Sequence, residues 1–340
     1  MNTYVTYIDD STFFMKEYLE IFIDKDYPDF IDKYLNTKTL NRLKYITQFC
    51  GCDYTKLYNP LFLYTRFDHS LVVSHMTWHF SKNKKETIIA LLHDVGTPCF
   101  AHCIDYVFGD YLNQESSERD VIDIIREDEE LLSYLESDGI CLDDFDFSKY
   151  KVLENKSPRL CTDRLDGVLH TCYVWLHTHD LESIKRVYDN IIFSGEELSF
   201  NDEDICLEFV RMIYVYAKEL QGNKDKYIMK YISEAVKKSV ELDLITIDDL
   251  YTKKEEEIIN IFRENFSSFL VFENSRELIG SDSVVENTFY ISFSTKKRNV
   301  IPLLGNDRID KVNSVAKKIY LDLDNYCDYK FAYIEGINKI

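Results

Sequence analysis

Residues 61–102 read LFLYTRFDHSLVVSHMTWHFSKNKKETIIALLHDVGTPCFAH, and this stretch decides the fold class. Apolar positions recur at helical spacing on either side of the polar run Ser81-Lys82-Asn83-Lys84-Lys85, which predicts two helices, Leu61 to Phe80 and Glu86 to Val95. The short turn makes them antiparallel neighbours, and Gly96 and Pro98 end the second. Two histidines sit in charged company here, His69 in Arg66-Phe67-Asp68-His69-Ser70 and His93 beside Asp94. At roughly 1.5 Å per residue, His69 lies about 16 Å before the turn and His93 about 10 Å after it, so the two face each other within about a turn. Adjacent residues point about 100° apart on a regular helix, so His93 and Asp94 share an ion only where the helix ends, as Gly96 makes it do.

All eight histidines lie between His69 and His179, which places the chemistry in that third of the chain. Asp163, in Cys161-Thr162-Asp163-Arg164-Leu165-Asp166, is a further candidate to close the set. Two imidazoles and two carboxylates suit one divalent ion with open water positions. His75 and His79 have the spacing of a zinc helix, but Met76 stands where a metalloprotease needs Glu, so both read as packing residues.

The rest of the chain bounds the answer. Its 340 residues, 45% hydrophobic and 14% aromatic, bury a sizeable core, and 10 Gly with 5 Pro favour long helices over a hairpin-rich fold. A net charge of -20 disfavours nucleic acid and anionic membranes as partners, though a few arginines inside a pocket still admit a small phosphorylated substrate. Nine cysteines without Cys-x-x-Cys pairs, no signal-like N-terminus and no bilayer-long apolar run lead us to expect a cytoplasmic protein with reduced thiols. Helical stripes recur at Ile228, Ile232, Ala235, Val236 and Val240, and at Ile258, Ile261, Phe262, Phe266 and Phe269. Near residue 270 the pattern shifts. Strand alternation at Phe289, Ile291 and Phe293, a helix stripe through Val312 to Leu323 and a strand at Phe331 to Ile334 predict a small α+β appendage. We therefore expect a mainly α protein, a helical core over 1–268 and an α+β subdomain over 269–340.

These motifs resemble the HD-domain phosphohydrolases, whose metal signature is His, then His-Asp, then Asp, and most closely their deoxynucleoside triphosphate triphosphohydrolase branch. Leu40 to Phe49, Arg66 to Ser70, His93 to His102 and Asp163 to Asp166 are similar, in order, to four elements of that branch. Likeness is clear over about residues 35 to 175 and weaker to about 265. The resemblance implies an HD-type helical core and metal ligands His69, His93, Asp94 and Asp163 for a divalent ion, with Mn, Fe, Mg, Co, Ni and Zn left undistinguished. It implies substrate contacts from Gln48, Arg66 and Arg164. It also implies hydrolysis at the α-phosphorus to nucleoside and triphosphate, with His102 protonating the departing oxygen and Asp105 orienting it. Further implications are a nucleotide substrate, a regulatory nucleotide and a homo-oligomer.

The departures bear on specificity. Thr97 replaces a usual His or Asn, Gln114 a phosphate-side His, Phe49 a Leu beneath the sugar, and Gly167 and Thr171 a Tyr and an Asp that hold it. They keep two other readings open: an HD phosphohydrolase for another nucleotide, monophosphate, modified or signalling, and a nucleotide-sensing subunit with little turnover. Tyr214 and Tyr216 read as core residues, with base contact as the alternative.

Overall fold

The computed structural model describes residues 13–23, 26–108, 121–293, 297 and 300–338, so Gln114 lies outside the described residues. Helices α1 (Phe13–Glu20), α2 (Lys38–Arg42), α3 (Arg66–Ser81), α4 (Lys84–Leu92), α5 (Cys103–Phe108), α6 (Val121–Arg126), α7 (Glu129–Ser137) and α8 (Thr162–His170) carry the first half. The second half holds α9 (Leu181–Asp189), α10 (Glu203–Gln221), α11 (Asn223–Glu241), α12 (Asp249–Thr252), α13 (Glu255–Asn265), α14 (Ser267–Asn274), α15 (Ile309–Val312) and α16 (Ser314–Asn325). The protein is mainly helical, as its composition predicts.

α3 and α4 form the antiparallel hairpin at the centre of the core, and α8 packs across α3. The first helix starts at Arg66 rather than Leu61. Thr65 caps it in a box with Asp68, whose Oδ2 accepts from Thr65 N at 2.7 Å while Asp68 N donates to Thr65 Oγ1 at 3.3 Å. Residues before the cap are extended instead: Gln48 N donates to Tyr64 O and Arg66 N to Ile46 O. The turn is tighter than expected, with Lys82 left-handed and Asn83 capping α4 through Glu86 N.

The stripe from Ile258 to Phe269 belongs to two helices, because Phe266 turns extended between α13 and α14. A hairpin of β1 (Ile191–Phe193) and β2 (Leu198–Phe200) was not foreseen from the pattern. β3 (Ile279–Ser281) and β4 (Tyr290–Ser292) flank β7 (Phe331–Tyr333) in an antiparallel sheet. The two-residue strands β5 (Leu303–Leu304) and β6 (Asp307–Arg308) extend the first hairpin, β5 running parallel to β2. Residues of the expected appendage are thus laid on the edge of a hairpin from the helical region. No helix among the described residues is long and apolar enough to cross a membrane.

Candidate metal centre

His69 lies in the first turn of α3, fixed by the capping box at Thr65, and His93 and Asp94 stand just past the end of α4. Asp163 enters from the first turn of α8. The structure brings all four together. Ligand atoms of His69, His93 and Asp94 lie within 4.8 Å of one another, and Asp163 Oδ1 is 3.1 Å from His69 Nε2 and 3.9 Å from His93 Nε2.

Each imidazole is oriented from behind. His93 Nδ1 donates to Ala90 O at 2.7 Å, which turns Nε2, buried and without a hydrogen-bond partner, into the cluster. His69 Nδ1 meets Asp166 Oδ2 at 2.6 Å, which leaves Nε2 for the same centre. A buried nitrogen lone pair facing two carboxylates is costly without a cation, and imidazoles backed by a carbonyl and a carboxylate are the usual support of a metal ligand. The donor set therefore fits a divalent ion of intermediate softness.

The electrostatics agree. Burial alone lowers His69, but its hydrogen bonds to Asp163 and Asp166 prevail and lift it to about 10. Burial lowers His93 too, but the Asp94 charge together with the neighbouring Asp163 outweighs it, and the group is raised. Burial pushes Asp94 and Asp163 up, yet Arg66 beside the first and His69 beside the second hold both below the usual carboxylate range. Burial pushes Asp166 up, but His170 and His69 together overcome it and hold the group at about 2. The four groups thus form a compact set of anions and imidazoles of the kind that a dication would relieve of protons.

The cluster forms the floor of a cleft of about 600 Å³. His102, immediately before α5, lines it, and its Nδ1 lies 3.1 Å from Oδ2 of the fully buried Asp105. Left-handed backbone at Phe100 and Ala101 swings His102 to the cleft, and Phe100 N donates to the buried Glu255 at 2.7 Å. Arg66 and Arg164 also line it, each already held by a carboxylate of the same cleft: Arg66 Nη1 donates to Asp94 at 2.8 Å and Arg164 Nη2 to Glu154 at 2.7 Å. Gln48 is there as well, its Oε1 buried without a partner. Among the departures, Thr97 Oγ1 donates to Asp94 Oδ1 at 3.5 Å, and Phe49 stacks on Trp175 at 4.9 Å. Gly167, Thr171 and Tyr216 line the cleft, whereas Tyr214 turns outward to Asp322.

The geometry can be set beside known proteins. No family model matches the chain. An uncharacterized protein of Bacillus subtilis, YdhJ, is 25% identical over 295 residues, which cover 85% of this chain and 88% of that protein. A hypothetical protein from Aquifex aeolicus superimposes with a TM-score of 0.61 at 15% identity, covering 89% of this chain and 91% of its own. A phosphohydrolase from Bacteroides thetaiotaomicron does so with a TM-score of 0.51 at 13% identity, covering 89% and 81%. The chain shares its fold with a phosphohydrolase.

Three site residues escaped the sequence reading. Asp166 is visible only as the last letter of a motif, Glu154 is one more carboxylate of an acidic stretch with nothing in the sequence to set it apart, and Asp225 carries no signal, though both Glu154 and Asp225 line the cleft. His170 follows Asp166 by one helical turn, which was the available hint; it packs on Tyr64 and meets Asp166 Oδ2 at 3.3 Å. His75 packs against Tyr27 and His79 against Tyr188, away from the cleft lining.

Proposed function

We propose that this chain is a metal-dependent phosphohydrolase that cleaves nucleotides at the α-phosphorus, releasing nucleoside and triphosphate when the substrate is a deoxynucleoside triphosphate. The observation that carries the reading is the buried, unpartnered His93 Nε2 facing His69, Asp94 and Asp163 on the floor of a nucleotide-sized cleft. The fold shared with a phosphohydrolase supports it.

A divalent ion held by His69, His93, Asp94 and Asp163 would supply a polarised water and offset charge on the phosphate. The chain's own residues do the rest. Arg66 and Arg164 bind phosphate oxygens through charge-assisted hydrogen bonds, exchanging their carboxylate partners for the substrate. Asp105 accepts from His102 Nδ1, which fixes the ring and makes Nε2 the atom that hands a proton to the departing oxygen. Gln48 Oε1, with no partner inside the protein, accepts from a substrate hydroxyl. A nucleotide effector and a homo-oligomer remain part of the proposal through the sequence resemblance.

A second reading has its own observation. Both cleft arginines are balanced by Asp94 and Glu154, which suits a substrate with fewer phosphates than three. Product analysis separates the two. Purified protein with manganese, and separately with iron, is given each deoxynucleoside triphosphate singly, all four together, and the corresponding monophosphates. Nucleoside plus intact triphosphate supports the first reading, and activity confined to the mixture supports an effector. Inorganic phosphate from the monophosphates alone supports the second. Tight binding with no turnover under either metal points to a sensing subunit and contradicts the proposal.

A further inference from the structure

Cys161 occupies the N-cap of α8, two residues before Asp163. That position favours Asn, Asp, Ser or Thr, whose side-chain oxygen accepts from the first turn, and the chain follows the rule with Thr65, Asn83, Asp128 and Asp180 at the starts of α3, α4, α7 and α9. A thiol sulfur is a weak acceptor. The Arg164 amide lies towards it without closing a capping hydrogen bond, so capping does not explain the residue. Packing does not explain it fully either, because Cys161 is entirely buried yet stands outside the continuous apolar core. Its sulfur faces two carboxylates instead. The ligand atoms of Glu154, Cys161 and Asp163 lie within 4.8 Å of one another. Backbone pairing places them so: Thr162 N donates to Val152 O at 2.8 Å and Asp163 N to Leu153 O at 3.4 Å, which lays the segment ending in Glu154 along the start of α8. Glu154 Oε1 accepts from Arg164 Nη2 at 2.7 Å and from Asn155 N at 2.8 Å, and Oε2 accepts no hydrogen bond among the described residues.

We propose that Glu154, Cys161 and Asp163 hold a second metal ion, of the borderline-soft zinc class, on the cleft wall beside the first centre. The proposal rests on the metal-centre reading through Asp163 alone. Donor chemistry separates the two sites. A thiolate draws zinc and cobalt and is a poor ligand for hard ions such as manganese, whereas the two imidazoles and two carboxylates of the first centre accept either kind. Three protein ligands with one open position is a common zinc arrangement. Asp163 can serve both ions, because its Oδ1 stands 3.1 Å from His69 Nε2 and a carboxylate has a second oxygen with which to bridge. Glu154 and Asp163 line the cleft and Cys161 does not, so an ion would arrive from the cleft and find the sulfur shielded from solvent behind the carboxylates. Bound there, it would add positive charge beside Arg164, on the wall that meets an anionic substrate.

The test loads the full chain, stripped of metal, with cobalt(II), zinc or manganese in separate samples and removes the excess. Metal content per chain is read together with the near-ultraviolet charge-transfer absorption of a cobalt–sulfur bond. We expect two ions per chain with cobalt or zinc, one with manganese, and the cobalt–sulfur absorption in the wild type. Cys161→Ser supplies a preferred helix cap, so the fold is kept, and it should lose one cobalt and the whole absorption. Glu154→Gln, which keeps the thiol, should lose the same ion. His93→Ala, which breaks the first centre, should keep one cobalt and the absorption. A folded wild type without the absorption overturns the proposal, as does an absorption or a cobalt content unchanged in Cys161→Ser. A single cobalt bound through sulfur, retained in His93→Ala and lost in Cys161→Ser, would contradict the first centre and leave the second standing. A single cobalt without the absorption, lost in His93→Ala, would do the opposite.

Discussion

Asp166 is fully buried and accepts hydrogen bonds from Tyr18 and Tyr64 at 3.1 Å while facing His69 and His170. One carboxylate thus sets the ring plane of His69 and is itself locked by two phenols. Asp166→Asn keeps the size but loses the charge that holds His69, so metal affinity should fall by roughly 10–100-fold, read by titration of the metal into stripped protein. Wild-type affinity would show that His69 is oriented by other means. His102→Ala is expected to keep its metal and to lower turnover by roughly 100-fold or more, the range for a lost general acid. Near-normal turnover would remove His102 from the chemistry. At this scale the cluster of His69, His93, Asp94 and Asp163 was legible because imidazoles and carboxylates set beside apolar helix stripes do not serve packing. Their supports were not. Glu154, Asp166 and Asp225 earn their roles from what folds against them, and an aspartate one turn from another looks like any surface pair in the sequence.

The helix hairpin was legible as an element because its two apolar stripes are long. Its true start depended on a cap, and the tetrad Thr65 to Asp68 was overlooked amid the apolar residues 61–64. Thr65→Ala should destabilise the protein by about 1 kcal/mol, measured by denaturant unfolding. The break at Phe266 hid for a similar reason, since the helical spacing of Phe262, Phe266 and Phe269 runs through it. Just upstream, the first residue of α13, Glu255, accepts from Phe100 N and Thr47 N, tying the loop before His102 to the loop that carries Gln48. Burial lifts Glu255 from its ordinary 4.5 to about 7. A carboxyl with a raised folded-state pKa keeps its proton longer when folded, so its contribution to stability is full below pH 4.5 and is lost as pH rises towards 7. Asp166, held at about 2, has the opposite sign: its contribution is present above its ordinary 3.8 and is lost as pH falls through 2. Glu255→Gln, which retains a carbonyl for Phe100 N, should flatten the decline between pH 4.5 and 7 in melting experiments. An unchanged slope would assign that decline elsewhere.

Across the whole molecule, composition alone pointed to a helical core, and the alternation near residue 290 pointed to strands after it. What pattern could not show is how the two join. β5 and β6 are two-residue strands, too short for any periodicity, yet they place Arg308 against Glu197 in a two-pronged pair at 2.6 Å. Glu197 also accepts from Leu160 N, and Ile301 N donates to Pro158 O, so the C-terminal strands brace the loop that leads into Asp163. Arg308→Ala leaves the buried Glu197 only the more distant Arg159, whose Nε lies 4.0 Å away, and is expected to cost about 3 kcal/mol, seen as a large drop in melting temperature. A loss below about 1 kcal/mol would show that the pair behaves as an exposed one. The claim on which the whole account stands is that His69, His93, Asp94 and Asp163 hold one divalent ion. Elemental analysis of the purified wild type and of Asp163→Ala, each reconstituted with manganese and freed of excess, tests it directly. The account predicts one ion per chain in the wild type and loss of most of it in the variant. A full complement in Asp163→Ala, or a wild type that takes up no divalent ion, would contradict it.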